Sequence, residues 1–148
     1  MKPMRRCAAM FLGLLAACGS GPACVEGESA VVTIDGHDFL MRLADDGAER
    51  AQGLMGVTEL GPDEGMAFVF EQVAEQTFWM KDTLIPLDLV ALADGKVVSV
   101  DTMTPCETAT CPTTRTAPAG VVVEIPGGRA AELGIEVGDP ASIDASCR

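Results

Sequence analysis

Positive charge is scarce in this sequence. Ten lysines and arginines stand against 22 aspartates and glutamates, for a formal net charge of −12. Three of the ten, Lys2, Arg5 and Arg6, fall within the first 17 residues; without that segment the balance is 7 against 22, a net −15. Such a surface repels phosphate backbones and anionic headgroups, so nucleic acid is not an expected partner. Histidine occurs once, and a Ser-His-Asp arrangement would have to use that His37, which follows a turn signal and reads as an exposed loop residue. No serine lies in a nucleophile-elbow context, and neither a phosphate-cradling glycine loop nor a helical metal motif is present, so no cofactor and no metal are expected. Tyrosine is missing and tryptophan occurs once, at Trp79. A membrane-spanning apolar run is lacking as well: the stretch from Cys7 to Ala17 falls well short of the ~20 residues a spanning helix needs.

What that stretch does fit is a cleaved secretory signal, with basic residues before it and small residues at its end. The sequence Leu15-Ala16-Ala17-Cys18-Gly19 resembles the lipobox of bacterial lipoprotein signals, in which the cysteine becomes the acylated first residue of the mature chain. Ordinary cleavage after Gly19 is the alternative, since cutting before Cys18 would put Leu15 where a small residue is preferred. The expected partition is a signal peptide over 1–17, a membrane tether over 18–28 and a single β-rich domain over 29–148. Two or more acyl chains on Cys18 would make the membrane a stable partner and place the protein in the cell envelope, on the periplasmic side. Gly19 stands where retained inner-membrane lipoproteins typically carry aspartate, which points to the outer membrane.

Export changes the cysteine arithmetic. With Cys7 removed and Cys18 acylated, Cys24, Cys106, Cys111 and Cys147 remain, an even number in an oxidising compartment. Of the three connectivities, the expected one joins Cys106 to Cys111 across a short turn and Cys24 to Cys147 across the whole domain. By loop entropy the short bridge contributes about 2 kcal/mol and the long one up to about 5. A zinc site at Cys106 and Cys111 is the weaker alternative, because a second ligand pair is missing.

The body of the chain reads as short strands. AVVTI, Asp35-Gly36 and HDFLMRL form one hairpin pattern, and LVALA, Asp94-Gly95 and KVVSVDTM form a second. Met66 to Phe70, Gln76 to Met80, Gly120 to Ile125 and Ala141 to Ala145 read as further strands. A short helix is expected over Asp46 to Met55, capped by Asp45 or Asp46 and ended by Gly56, and a second over Gly128 to Leu133, closed by Gly134. The expected fold is mainly β, a compact β-sandwich or barrel-like domain of seven or eight short strands with one or two short helices.

Several motifs then follow one another in order: Arg50 with Gly53-Leu54-Met55; Gly65 to Phe70; Phe78-Trp79-Met80-Lys81-Asp82-Thr83; Ile85-Pro86-Leu87-Asp88; Val121 to Ile125; Gly134-Ile135; and Gly138-Asp139. Together they resemble the family known as domain of unknown function 192, over essentially Val31 to Ile143. The resemblance implies a compact, mainly β domain of sandwich type, usually exported or membrane-attached, and transfers architecture rather than activity. Members with this cysteine pair often carry a tyrosine soon after it, whereas this chain has Thr113-Thr114.

The candidate ligand-binding residues are Arg50, Trp79, Lys81, Asp82, Thr83 and Asp88. In the functional reading they form the mouth of a pocket, with Trp79 as an apolar wall and Lys81 or Arg50 recognising an anion; the expected partner is a small anionic ligand or an envelope protein. In the structural reading Asp82 serves a turn, Asp88 receives backbone N–H groups, and an Arg50–aspartate pair ties the helix to the sheet. Two further readings stand beside these. An envelope hydrolase would draw its acid and base from Asp82, Asp88 and Glu124, and a Cu(I)-binding protein would use thioethers among Met41, Met55, Met66, Met80 and Met103, which otherwise fill core gaps.

Overall fold

Two Asp-Gly turns set the sheet. Asp35 and Gly36 (φ 47° and 80°), like Asp94 and Gly95 (φ 49° and 72°), occupy the left-handed region at both central positions, the geometry that joins twisted antiparallel strands with a two-residue loop. In the computed structural model, which describes residues 29–106 and 110–145, the first turn links β1 (Ser29–Ile34) to β2 (His37–Ala44). The second links β5 (Leu87–Ala93) to β6 (Lys96–Met103). Between them lie α1 (Gly47–Gln52), β3 (Glu64–Ala74) and β4 (Thr77–Trp79). After β6 come β7 (Thr113–Arg115), β8 (Ala119–Pro126), α2 (Arg129–Leu133) and β9 (Ala141–Asp144).

Seven strands form one curled sheet in the order β6-β5-β8-β3-β2-β1-β9, antiparallel throughout except for the parallel β2–β3 pair. The curl brings its two ends together: Val97 N–H donates to the Asp139 carbonyl at 2.9 Å, Gly138 N–H donates to the Val97 carbonyl at 2.9 Å, and Lys96 bridges Pro140. The fold is thus the barrel-like alternative, a half-barrel rather than two stacked sheets. One core cluster contains Val32 and Ile34 from β1 together with Val97 from β6, strands at opposite ends of the order, and therefore fills the inside of the curl. A second cluster, with Leu54, Phe68, Leu87, Leu89 and Val122, lies on the outer face of the central strands. There α1 and its following loop, with the β4–β7 ribbon, cover the sheet.

Strand alternation assigns side chains to these two faces. On β8, Val123 and Ile125 point into the curl while Val122 points outward, which puts Glu124 on the outer face. On β5, Val90 and Leu92 point inward while Leu87, Leu89 and Ala91 point outward, which puts Asp88 on the inner face. Gly65 lets β3 pass close to β8, since a Cβ there would collide with the Glu124 carbonyl oxygen.

Three expectations need correction. Among the described residues the strands number nine, because the three-residue β7 pairs with β4 (Phe78 opposite Thr114), and a polar Thr-Thr-Arg has no apolar alternation to announce a strand. Helix α1 ends at Gln52 rather than Met55, since Gly53 (φ 47°, ψ −137°) turns the chain out of the helix. Strand β3 runs on past Phe70 to Ala74 as an exposed extension, Glu71-Gln72-Val73-Ala74. Cys106 and Cys111 are disulfide-bonded as expected, with Cα atoms 5.5 Å apart. Cys18, Cys24 and Cys147, with the expected signal peptide over 1–17 and the expected tether over 18–28, lie outside the described residues. Among the described residues no helix is long and apolar enough to cross a membrane.

Candidate functional site

Helix α1 has only six residues and buries none of them, so its ends must hold it. Asp46 Oδ1 accepts from Glu49 N–H at 2.8 Å, and Glu49 Oε2 accepts from the backbone N–H groups of Asp45 and Asp46 at 3.1 and 3.3 Å, a complete capping box. The cap fixes the azimuth of Arg50 in the last turn. Arg50 Nη1 donates to the carbonyls of Asp45 (2.7 Å) and Val69 (2.9 Å), and the guanidinium lies 5.4 Å from the Phe70 ring centroid. Arg50 therefore ties helix to sheet through carbonyl oxygens, not through the aspartate partner expected in the structural reading. Its Nη2 has no hydrogen-bond partner among the described residues.

Opposite α1, β4 turns Phe78 inward and Trp79 outward. Phe78 packs edge-to-face on Phe68 and Phe70, with centroids 5.0 and 6.5 Å away, and anchors the strand. Trp79 is left 49% exposed, and Lys81 Nζ lies over its ring at 5.3 Å. The chain then turns, with Thr83 N–H donating to the Met80 carbonyl at 3.2 Å and Asp82 at φ 53°. The Asp82 carbonyl accepts from Gly56 N–H at 2.9 Å, which joins this turn to the loop after α1. The buried Thr83 donates from Oγ1 to the Lys81 carbonyl at 3.3 Å.

A narrow cleft opens between the two elements. Arg50, Leu54, Trp79, Lys81, Thr83 and Glu124 line it, with Phe68 and Phe78 behind. It holds about 280 Å³ of empty space, part of it open to solvent. Glu124, 4% exposed, accepts no hydrogen bond among the described residues, and burial alone pushes its carboxyl from 4.5 up to about 7. A larger open groove of about 710 Å³ near the Asp94-Gly95 turn is lined by Val73, Leu92, Val121 and Ile143. Asp94 and Ser142 are its polar side chains and no cation lines it, so the cleft that gathers Arg50, Lys81 and Glu124 is the better candidate.

Of the six candidate ligand-binding residues, the fold brings Arg50, Trp79, Lys81 and Thr83 together in this cleft. Asp82 does not line it and serves the turn through its backbone. Asp88 lies across the sheet, 1% exposed, where its Oδ1 accepts from Thr102 Oγ1 at 2.7 Å and its Oδ2 from Ala130 N–H at 2.8 Å. It caps α2, whose own N-cap residue is Gly128 and offers no side chain. Asp82 and Asp88 thus do not converge as an acid–base pair. Glu124 does reach the cleft, and the sequence signal for it was a single charge inside the apolar run Val121 to Ile125. Met66, Met80 and Met103 are buried in the outer core and Met41 in the inner one, packed among apolar side chains.

The family model DUF192, described as "Uncharacterized ACR", matches residues 30–143. Two solved structures share the fold. A protein of Novosphingobium aromaticivorans DSM 12444, of unknown function, is 34% identical with a TM-score of 0.67 over 89% of this chain and 99% of its own. A protein of Sinorhizobium meliloti 1021, proposed to be a transcription regulator, is 28% identical with a TM-score of 0.68 over 86% of this chain and 100% of its own. No curated protein matches the chain.

Proposed function

Because the chain belongs to the DUF192 family, described only as uncharacterised, its function must be read from the cleft, and we propose that the cleft binds a small anionic ligand in the cell envelope. One observation carries this. Six lysines and arginines lie among the described residues (Arg42, Arg50, Lys81, Lys96, Arg115 and Arg129), and two of them, Arg50 and Lys81, line one cleft with no carboxylate paired to either. In a chain of net charge −12, unpaired cations beside an exposed tryptophan are a recognition surface for negative charge. The basic leader, the short apolar run and the lipobox ending at Cys18 support anchoring to the envelope membrane. A nucleic-acid role, which the proposal for the Sinorhizobium meliloti protein would suggest, fits the acidic charge poorly. Hydrolysis by two carboxylates draws no support from a cleft in which Glu124 is the one acid among the lining residues.

Trp79, the only tryptophan, reports on the cleft directly. Its fluorescence, followed while small carboxylates and inorganic phosphate are added, should saturate. Lys81→Ala should lower the affinity about tenfold, the size of one lost charge-assisted contact, and leave the melting temperature in place. An unchanged affinity in that variant, or no response to any anion, would refute anion binding.

A further inference from the structure

The floor of the cleft differs from its rim. At the rim, Arg50 Nη2 and Lys81 Nζ are cationic donors without hydrogen-bond or carboxylate partners among the described residues. At the floor, Glu124 is 4% exposed and accepts no hydrogen bond from the described residues, while its carboxylate oxygens are not fully buried and so remain reachable from the cleft. A carboxyl in that position is expensive to ionise, and it regains its charge when a donor or a cation enters beside it. The strands on either side place Met66 and Leu89 in register with Glu124, so neither strand supplies such a group. The charged groups lining the cleft with it are Arg50 from α1 and Lys81 from the turn after β4. The cleft holds about 280 Å³ of empty space in all, part of it open to solvent, which suits a small ligand.

Resting on the anion-binding function above and extending it, we propose that the ligand is a zwitterion, a small amino acid whose ammonium group meets Glu124 at the floor while its carboxylate lies between Arg50 and Lys81 at the rim. The methylenes between the two ends run along Trp79, and the bipolar lining discriminates against plain carboxylates, which leave Glu124 unsatisfied, and against plain amines, which leave the rim unpaired.

The test uses the full chain and Trp79 fluorescence with three matched series: ω-amino acids from glycine to 6-aminohexanoate, the corresponding carboxylates from acetate to hexanoate, and the corresponding alkylamines. At one chain length the amino acid should bind about tenfold or more tightly than its matched carboxylate, the scale of one hydrogen bond to a charged group. The preference should grow as pH rises from 6 to 8, because Glu124 releases its proton near 7 while the ammonium keeps its own. Glu124→Gln should abolish the preference and retain carboxylate binding. Should that variant fail to fold, the pH trend of the unaltered protein still decides, since a preference that is flat or falls with pH contradicts an ammonium at Glu124. Carboxylates binding as tightly as amino acids would overturn the zwitterion and leave anion binding intact. Silence from all three series would overturn both.

Discussion

Asp88 and Glu124 sit on adjacent strands, one register step apart, and are almost equally buried at 1% and 4% exposure, yet they meet opposite fates. Asp88 faces the inside of the curl, where a threonine hydroxyl and the amino end of α2 both donate to it. Glu124 faces outward into the cleft and accepts nothing among the described residues. Depth alone therefore does not distinguish a structural carboxylate from a site carboxylate in this fold. Donor supply does: a buried acid with its bonds made contributes to the fold, and one without them costs stability until a donor reaches it.

The largest expected effect lies on the inner face. Asp88→Ala removes both accepted bonds and leaves the Ala130 N–H buried and unpaired, so unfolding in urea should show a loss of about 4 kcal/mol. A loss below about 1 kcal/mol would put Asp88 in the same class as Glu124 and dissolve the contrast. The outer face should respond to pH instead. Below about 4.5 the Glu124 carboxyl is protonated in both folded and unfolded chains; from 4.5 to about 7 the unfolded chain has released that proton and the folded one still holds it. The folded chain binds the extra proton, so stability falls as pH rises across that window and levels off above it, by about 3 kcal/mol for this one group. Glu124→Gln should remove that slope, and above pH 7 the variant should be the more stable protein. Urea titrations of both proteins at pH 4.5 and 8 measure it. A parallel fall in both would assign the slope to other groups.

Much of this architecture was legible because local signals carried it. The Asp-Gly turns, the alternation of β1 and β2, and the Asp46 cap of α1 each depend on a few neighbouring residues. The Cys106–Cys111 bridge closes over a short loop and was equally readable. What escaped depends on distant pairing. The polar β7 exists because β4 offers it a partner, and the ends of the curl meet through Val97 and Asp139, 42 positions apart and without a motif between them. The site follows the same rule. Trp79, Lys81 and Thr83 share one segment and were found together, whereas separating Asp88 from Glu124 required knowing which face each strand turns to the curl.

The same contrast recurs on a smaller scale between the two rim cations. Arg50 spends one nitrogen on two carbonyls and stacks on Phe70, so it is part scaffold; Lys81 lies over the exposed Trp79 ring and makes no hydrogen bond or ion pair among the described residues. Arg50→Ala should therefore weaken both the fold, by about 1 to 2 kcal/mol, and anion affinity, because the helix that borders the cleft loses its tie to β3. Lys81→Ala should leave stability within about 0.5 kcal/mol, as expected of an exposed cation without an ion-pair partner. Arg50→Lys separates the two roles of Arg50, since a lysine keeps the charge but lacks the planar guanidinium that lies on Phe70 while holding Nη1 at the carbonyls of Asp45 and Val69. If Arg50 acts as scaffold and ligand donor at once, this variant should unfold at a lower denaturant concentration than the unaltered protein while retaining more anion affinity than Arg50→Ala. Thermal and urea unfolding alongside Trp79 titrations of the three variants would show it, and equal affinity in Arg50→Lys and Arg50→Ala would reduce Arg50 to a strut.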